Sequence, residues 1–390
     1  MRKIISWLSL SLGLTLLTAN GSVLANVPLR LVNQNSTQVT LEDLGLDEQL
    51  WGSPGKSGDR QALLRAINHS LRYLEKPSAA KAYQQYPVQG ITRDRIYRSL
   101  VRFRQLLINS RSAAELQAAV NREFVFYKSV GRDNQGTVLF TGYFEPIYAA
   151  SRTPSAEYRY PLYGLPTNFG GWSQPHPTRA QLEGTDGLGK NSPLRGKELF
   201  WLRDRLEAFL VHIQGSAKLQ MPDGTEMTVG YAGKTNYPYT SVGGELIKDG
   251  ILPRDGLTLP VLIDYFSKFP LQLNKYLPRN QSFVFFRETN GAPATGSIGV
   301  PVIAERSIAT DKSLMPPGAL ALIKTRIPYP KADGQLESRL VNRFVLDHDT
   351  GSAIRGPGRV DVFMGTGKLA GDRAGIMGGT GELYYLLLKE

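Results

Sequence analysis

The sequence has 390 residues, a net charge of +12, 41% hydrophobic residues and no cysteine. The missing thiols exclude disulfides, thiolate metal sites, a cysteine nucleophile and lipid attachment through cysteine, so stability must come from apolar cores. Lysine and arginine are scattered rather than clustered, so the positive balance suits a solubilising surface as well as attraction to an acidic polymer, and selects no partner alone.

Arg2 and Lys3 precede an apolar stretch from Ile4 to Thr18, followed by the small residues Val23 and Ala25. This pattern predicts a signal peptide cleaved after Ala25, because the apolar run falls short of the roughly 20 residues of a spanning helix, with an uncleaved anchor as the alternative. The remaining length suits two domains at about 150 residues each. Export makes nucleic acid the least fitting partner. Residues 26–58 are polar and glycine-rich and read as an N-terminal arm. From Asp59, the spacing of Leu63, Leu64, Ile67, Leu71 and Leu74 predicts a helix. Ile96, Leu100, Phe103 and Leu107 predict a second, and residues 113–126 a third.

The character changes at Thr137, where TVLFTGYFEP predicts a strand ending at Pro146. Further strands are expected at residues 226–231, 282–287, 319–327, 340–346, 359–364 and 383–388. Helices are expected at 196–210 and 257–276, with Pro260 in a first turn. Residues 164–196, dense in Gly, Pro, Ser and Thr, read as a long loop, either tied to binding or a disordered insert. Short mixed strands with helices grouped early predict a mixed α+β, mainly β, architecture built on β-barrels.

Few residues suit chemistry. His69, His176, His212 and His348 have no partner at metal-ligand spacing, and His348 fits a strand end with alternating side chains better than a metal site. Ser216 in HIQGSAK lacks a nucleophile elbow. Three aspartates stand out: Asp311 in IATDKSLMPPG, Asp349 in LDHDTGSAIRG and Asp361 in GRVDVFMG. A carboxylate among Val360, Val362, Phe363 and Met364 must be paired, hydrogen-bonded or neutral, which leaves a structural and a catalytic role both open. If the three converge, repulsion and desolvation raise the pKa of at least one and keep a proton available, as glycosidic cleavage requires.

FTGYFEP, SRTPSAEYRYPLYGLP, FLVHIQGSAKLQMPDGTEMTVGYAGKTNYPYTSVG, SFVFFRE, VPVIAERSIATDKSLMPPGALALI and DTGSAIRGPGRVDVFMGTGKLAGDRAGIMGGTGELYYLL follow one another in the order of the MltA-type lytic transglycosylases, which the chain resembles from about Leu139 to its end. The resemblance implies a discontinuous double-psi β-barrel domain at 59–142 and 280–390, with the 3D segment near 300–388. A second small β-barrel inserted at 143–279 would face it across a groove.

It further implies Asp361 as the catalytic acid and base, Asp349 and Asp311 as supporting aspartates, and Thr141, Tyr143, Gln214 and Ser216 as the lining of a glycan groove. Ala217 stands where many relatives have glycine and would shape a sugar subsite. Tyr143, Phe144, Tyr231, Tyr237 and Tyr239 suit sugar faces, and the GPGRVD turn could supply backbone donors to acetamido groups. The implied substrate is the peptidoglycan glycan strand, cleaved to anhydro ends by a monomer with no metal or cofactor. The implied location is the periplasm or outer membrane. A hydrolytic glycosidase and a non-catalytic wall-binding module are the alternatives.

Overall fold

The computed structural model describes residues 27–32, 44–53 and 56–390; the predicted signal peptide lies outside these. Three short strands, β1 (Leu29–Leu31), β2 (Gly52–Ser53) and β3 (Lys56–Ser57), precede four helices: α1 (Arg60–Leu74), α2 (Pro77–Tyr83), α3 (Arg93–Asn109) and α4 (Ala113–Glu123). The heptad-like spacing in α1 and α3 buries Leu63, Ile67, Leu74, Ile96, Leu100, Phe103 and Leu107 in one core. Thr92 starts α3 by accepting the Arg95 amide.

The middle of the chain runs β4 (Phe124–Ser129), β5 (Val138–Glu145), β6 (Ile147–Ser151), β7 (Tyr160–Tyr163), α5 (Arg179–Glu183), β8 (Glu198–Leu202), α6 (Arg205–Gln214), β9 (Ser216–Gln220) and β10 (Glu226–Lys234). It continues through α7 (Val242–Lys248), α8 (Leu259–Lys268) and α9 (Leu273–Tyr276) to β11 (Val284–Glu288). The last part is β12 (Ser307–Ala309), β13 (Leu320–Pro330), β14 (Leu336–Asp349), β15 (Arg359–Thr366), α10 (Lys368–Ile376) and β16 (Gly378–Leu388).

Two sheets organise these elements. In the first, β16, β13, β14, β12, β15 and β5 are neighbours in that order, and a further β16–β5 pairing closes them into a six-stranded barrel. The arrangement is the mixed, mainly β architecture expected, with β12–β14 and β15–β5 parallel among antiparallel neighbours. Strand β4 extends the sheet from β16, and β1 pairs with β4. The second sheet runs β11-β10-β9-β6-β8-β7, and a parallel bridge from Gly164 to Phe286 joins its two edges. Its core is built from Leu162, Phe200, Leu202, Val211, Ala217, Leu219, Val229 and Phe286.

Three expected helices differ. The third ends at Glu123, because the aromatic and β-branched run FVFYKS pairs with β16 as β4. Residues 196–210 split into strand β8, which lies between β6 and β7, and helix α6, started by Asp204 accepting the Glu207 amide. The helix at 257–276 is interrupted at Pro270, where a 3-10 turn separates α8 from α9. Residues 164–196 are packed rather than loose: Leu182 and Leu194 join Phe283 and Phe285, with Phe169 and Trp172 against them.

The described part of the N-terminal segment is bound to the barrel. Asp47 is 1% exposed, and Arg306, fully buried, donates to Asp47, to both carboxylate oxygens of Asp59 and to the Phe344 carbonyl. Among the described residues no helix is long and apolar enough to cross a membrane.

Candidate active site

Strand alternation decides which way the acidic residues face. In β15, Val360 and Val362 are fully buried in the barrel, so Arg359, Asp361 and Phe363 share the opposite face. Parallel pairing then sets Leu139 beside Arg359, Thr141 beside Asp361 and Tyr143 beside Phe363. On the other side Ala309 of β12 pairs with both Asp361 and Asp349. Asp349, Ala309, Asp361 and Thr141 therefore lie along one row across four neighbouring strands. The approach of α10 to this wall needs Gly142, since a Cβ there would stand 2.8 Å from the Ala374 backbone.

Asp361 has an asymmetric environment. Its Oδ1 accepts from the Thr141 hydroxyl and from Arg359 Nε at 3.0 Å, while Arg359 also donates to Thr141 Oγ1 at 2.9 Å. Among the described residues no group donates to Oδ2, and the side chain keeps 18% exposure. One oxygen is fixed and the other faces outward. The cation beside it is not buried: the Arg359 side chain is 28% exposed.

Tyr143 extends the same face. Its ring lies 5.2 Å from that of Phe363, and its buried hydroxyl sits against Asp349 without reaching full hydrogen-bond alignment. Burial, followed by the negative charges of Asp349, Asp361 and Asp347, holds that phenol well above its ordinary pKa, so it stays a neutral donor. Asp349 is the carboxyl that burial pushes up, although the Thr350 and Ser297 amides partly offset this. Asp311 behaves oppositely. Burial would raise it, but the Ser313 hydroxyl, the Gly356 and Ser313 amides and the charge of Arg355 together hold it below the usual range.

The inserted barrel forms the facing wall. Helix α6 ends at Gln214, whose Oε1 accepts the Phe144 amide at 3.0 Å, tying the helix to β5 just after Tyr143. Gly215 follows with φ +82°, the left-handed turn that lets Ser216 start β9 opposite Gly230. Gln214 and Ser216 are half-buried. Ala217 is not: it is fully buried in the core of the inserted barrel, since alternation in β9 turns it inward, and it shapes no subsite. From the loop after β10, Tyr239 comes close enough to feel the charges of Arg359 and Asp361.

The remaining expectations divide. Thr141, Tyr143, Asp349 and Asp361 come together, whereas Asp311 pins the 355–358 turn, and the Gly356 amide is spent on it. Phe144 is buried under Gly371, and Tyr237 donates to the His176 carbonyl at 2.6 Å. His348 is fully buried with its ring nitrogens on the Ser70 and Ser307 hydroxyls. Among the described residues no group of three His, Asp or Glu side chains is placed to hold a metal.

Comparison with known proteins decides the family. Residues 139–287 match the MltA specific insert domain and residues 306–387 the 3D domain. A membrane-bound lytic murein transglycosylase A of Vibrio cholerae is 33% identical over 263 residues, covering 66% of this chain and 68% of the relative. The chain belongs to the MltA family of lytic murein transglycosylases. The Escherichia coli relative is 30% identical over 259 residues, covering 66% of this chain and 67% of its own. The crystal structure of the membrane-bound lytic murein transglycosylase from Agrobacterium tumefaciens matches with a TM-score of 0.67 at 26% identity, covering 85% of this chain and 93% of that one. E. coli MltA with bound chitohexaose has the same fold, with a TM-score of 0.69 at 24% identity over 94% and 96% of the two chains.

Within this MltA-type barrel, sequence reasoning missed Arg359 as a partner of Asp361. The signal was available: Arg359 and Asp361 are two apart in one strand and so share a face. Tyr239 was named only as an aromatic suited to a sugar face; its approach to Asp361 was not legible, because it lies in a loop 122 positions away and meets that residue through the tertiary fold.

Proposed function

We propose that the chain cleaves the β-1,4 bond between N-acetylmuramic acid and N-acetylglucosamine in peptidoglycan without water, leaving 1,6-anhydromuramic acid ends, with Asp361 as acid and then base. The supporting observation is the asymmetry of Asp361: Oδ1 is held by Thr141 and Arg359 while Oδ2 is open. A proton on Oδ2 passes to the bridging oxygen as the bond to the muramyl C1 breaks and positive charge builds on that ring. The carboxylate then takes the proton of the muramyl C6 hydroxyl, whose oxygen bonds to C1. The proton returns to Asp361, and no second nucleophile is needed.

Attacker and target share one sugar, so the second step is intramolecular and favoured by proximity. In this reading Asp349 and Tyr143 support the acid, Gln214 and Ser216 contact the glycan, and Asp311 shapes the turn ahead of β15. The enzyme acts as an exported monomer on glycan strands in the periplasm or at the outer membrane. Mass analysis of fragments from digested sacculi tests the reaction. Fragment ends one water lighter than hydrolytic ends are expected; ordinary reducing ends alone would reject the non-hydrolytic course.

A further inference from the structure

The guanidinium of Arg359 makes two contacts that constrain one another. Nε donates to Asp361 Oδ1 at 3.0 Å and a terminal nitrogen donates to Thr141 Oγ1 at 2.9 Å. A hydroxyl that accepts from an arginine must direct its own hydrogen elsewhere, and the Thr141 hydroxyl donates to the same Oδ1. Oδ1 thus receives two donors and has no need of a proton, which leaves Oδ2 as the only oxygen that can carry one. Without the guanidinium, the Thr141 hydroxyl is free to rotate and the two oxygens become interchangeable.

Charge reaches the pair from several elements. Thr141 and Tyr143 face it from β5, Asp349 from β14 lies beyond Tyr143, and Tyr239 approaches from the inserted barrel. Arg355 lies nearer Asp311 and Lys234. Among these, Arg359 alone donates to the Asp361 carboxylate from a charged group.

We propose that Arg359 is a positioning residue that confines the transferred proton to Oδ2 of Asp361 and stabilises the carboxylate formed when that proton leaves. This rests on the transglycosylase reading above. It predicts a division of labour: the fork geometry sets where the proton sits, and the charge sets how readily it departs.

Turnover of purified glycan strands by the full chain and by Arg359→Gln, Arg359→Lys and Arg359→Ala tests this, with product masses and thermal unfolding measured alongside. For Arg359→Gln and Arg359→Ala, kcat should fall about 100-fold with KM held within about twofold, as expected for a misplaced acid. Arg359→Lys keeps the charge and loses the fork, so its kcat should also fall while its KM stays in place. Added guanidinium ion should recover part of the activity of Arg359→Ala. Wild-type kcat in Arg359→Gln would overturn the proposal, as would a loss confined to KM or thermal stability with no rescue of Arg359→Ala. If the unsubstituted chain gives no anhydro ends, the reaction reading itself fails; anhydro ends of equal yield from all variants would sink the role of Arg359 alone.

Discussion

Thr141 and Ala217 show how single side chains test the site. Thr141→Val keeps the shape of β5 and removes the hydroxyl that donates to Asp361 Oδ1. Losing one donor to a reacting carboxylate should lower kcat about 100-fold while thermal unfolding moves little. Unchanged turnover would show that this hydrogen bond does not order the acid. Ala217→Gly gives the opposite pattern. Because Ala217 is fully buried, the change should leave KM for glycan unaltered and cost roughly 0.5–1 kcal/mol of stability, the usual penalty of glycine in a strand. A changed KM at equal stability would return Ala217 to the groove. At this scale much of the site was legible, since Asp361 stood out as a carboxylate in an apolar strand and FTGY placed Thr141 and Tyr143. Which carboxyl is pushed up was not legible. Burial singles out Asp349 against the opposing pull of the Thr350 and Ser297 amides, and that burial depends on the fold.

At the scale of elements, the long-range ties are ionic as well as apolar. Arg306, just ahead of β12, joins residues 47 and 59, ahead of the helices, to β14, and both Arg306 and Asp47 have fully buried side chains. Arg306→Met should cost about 3–5 kcal/mol, because it leaves Asp47 buried without its main cation. Urea denaturation measures this, and a loss under about 1 kcal/mol would mean that Arg343, also within reach of Asp47, suffices alone. These ties explain one limit of sequence reading. Nothing in the polar segment before Asp59 announces a buried aspartate, because its partner lies 259 positions later. Strand β8 was hidden for another reason: Phe200 and Leu202 merge with the apolar residues of α6, and only the Asp204 and Glu207 pair marks the break. The strands β5 and β15 were readable because alternating burial and β-branched residues coincide in part there, and β13 and β16 because they carry short runs of buried apolar residues.

On the scale of the whole molecule, buried titratable groups predict an acid-sensitive fold. Burial lowers His348 to about 3 from an ordinary 6.5, and burial with the Arg179 charge also lowers His212. Below 6.5 the unfolded chain takes up protons that the folded imidazoles refuse, so this stabilisation is complete above pH 6.5 and declines toward pH 3. Glu207, pushed up to about 7 by burial, works the other way and favours the fold at lower pH. His348→Gln isolates one term: its urea midpoint should fall less steeply between pH 6.5 and 4 than that of the unsubstituted chain, and an equal slope would contradict a neutral, buried His348. Tyr143, from the strand beside Asp361, and Tyr239, from the loop after β10, both approach the row of residues that holds Asp361. The decisive measurement compares Asp361→Asn with the unsubstituted chain on the same glycan, following bond cleavage and binding separately. With Asp361 as acid and base, binding persists within a few-fold and cleavage disappears. Cleavage at an undiminished rate would place the acid elsewhere, with Asp349 next in line.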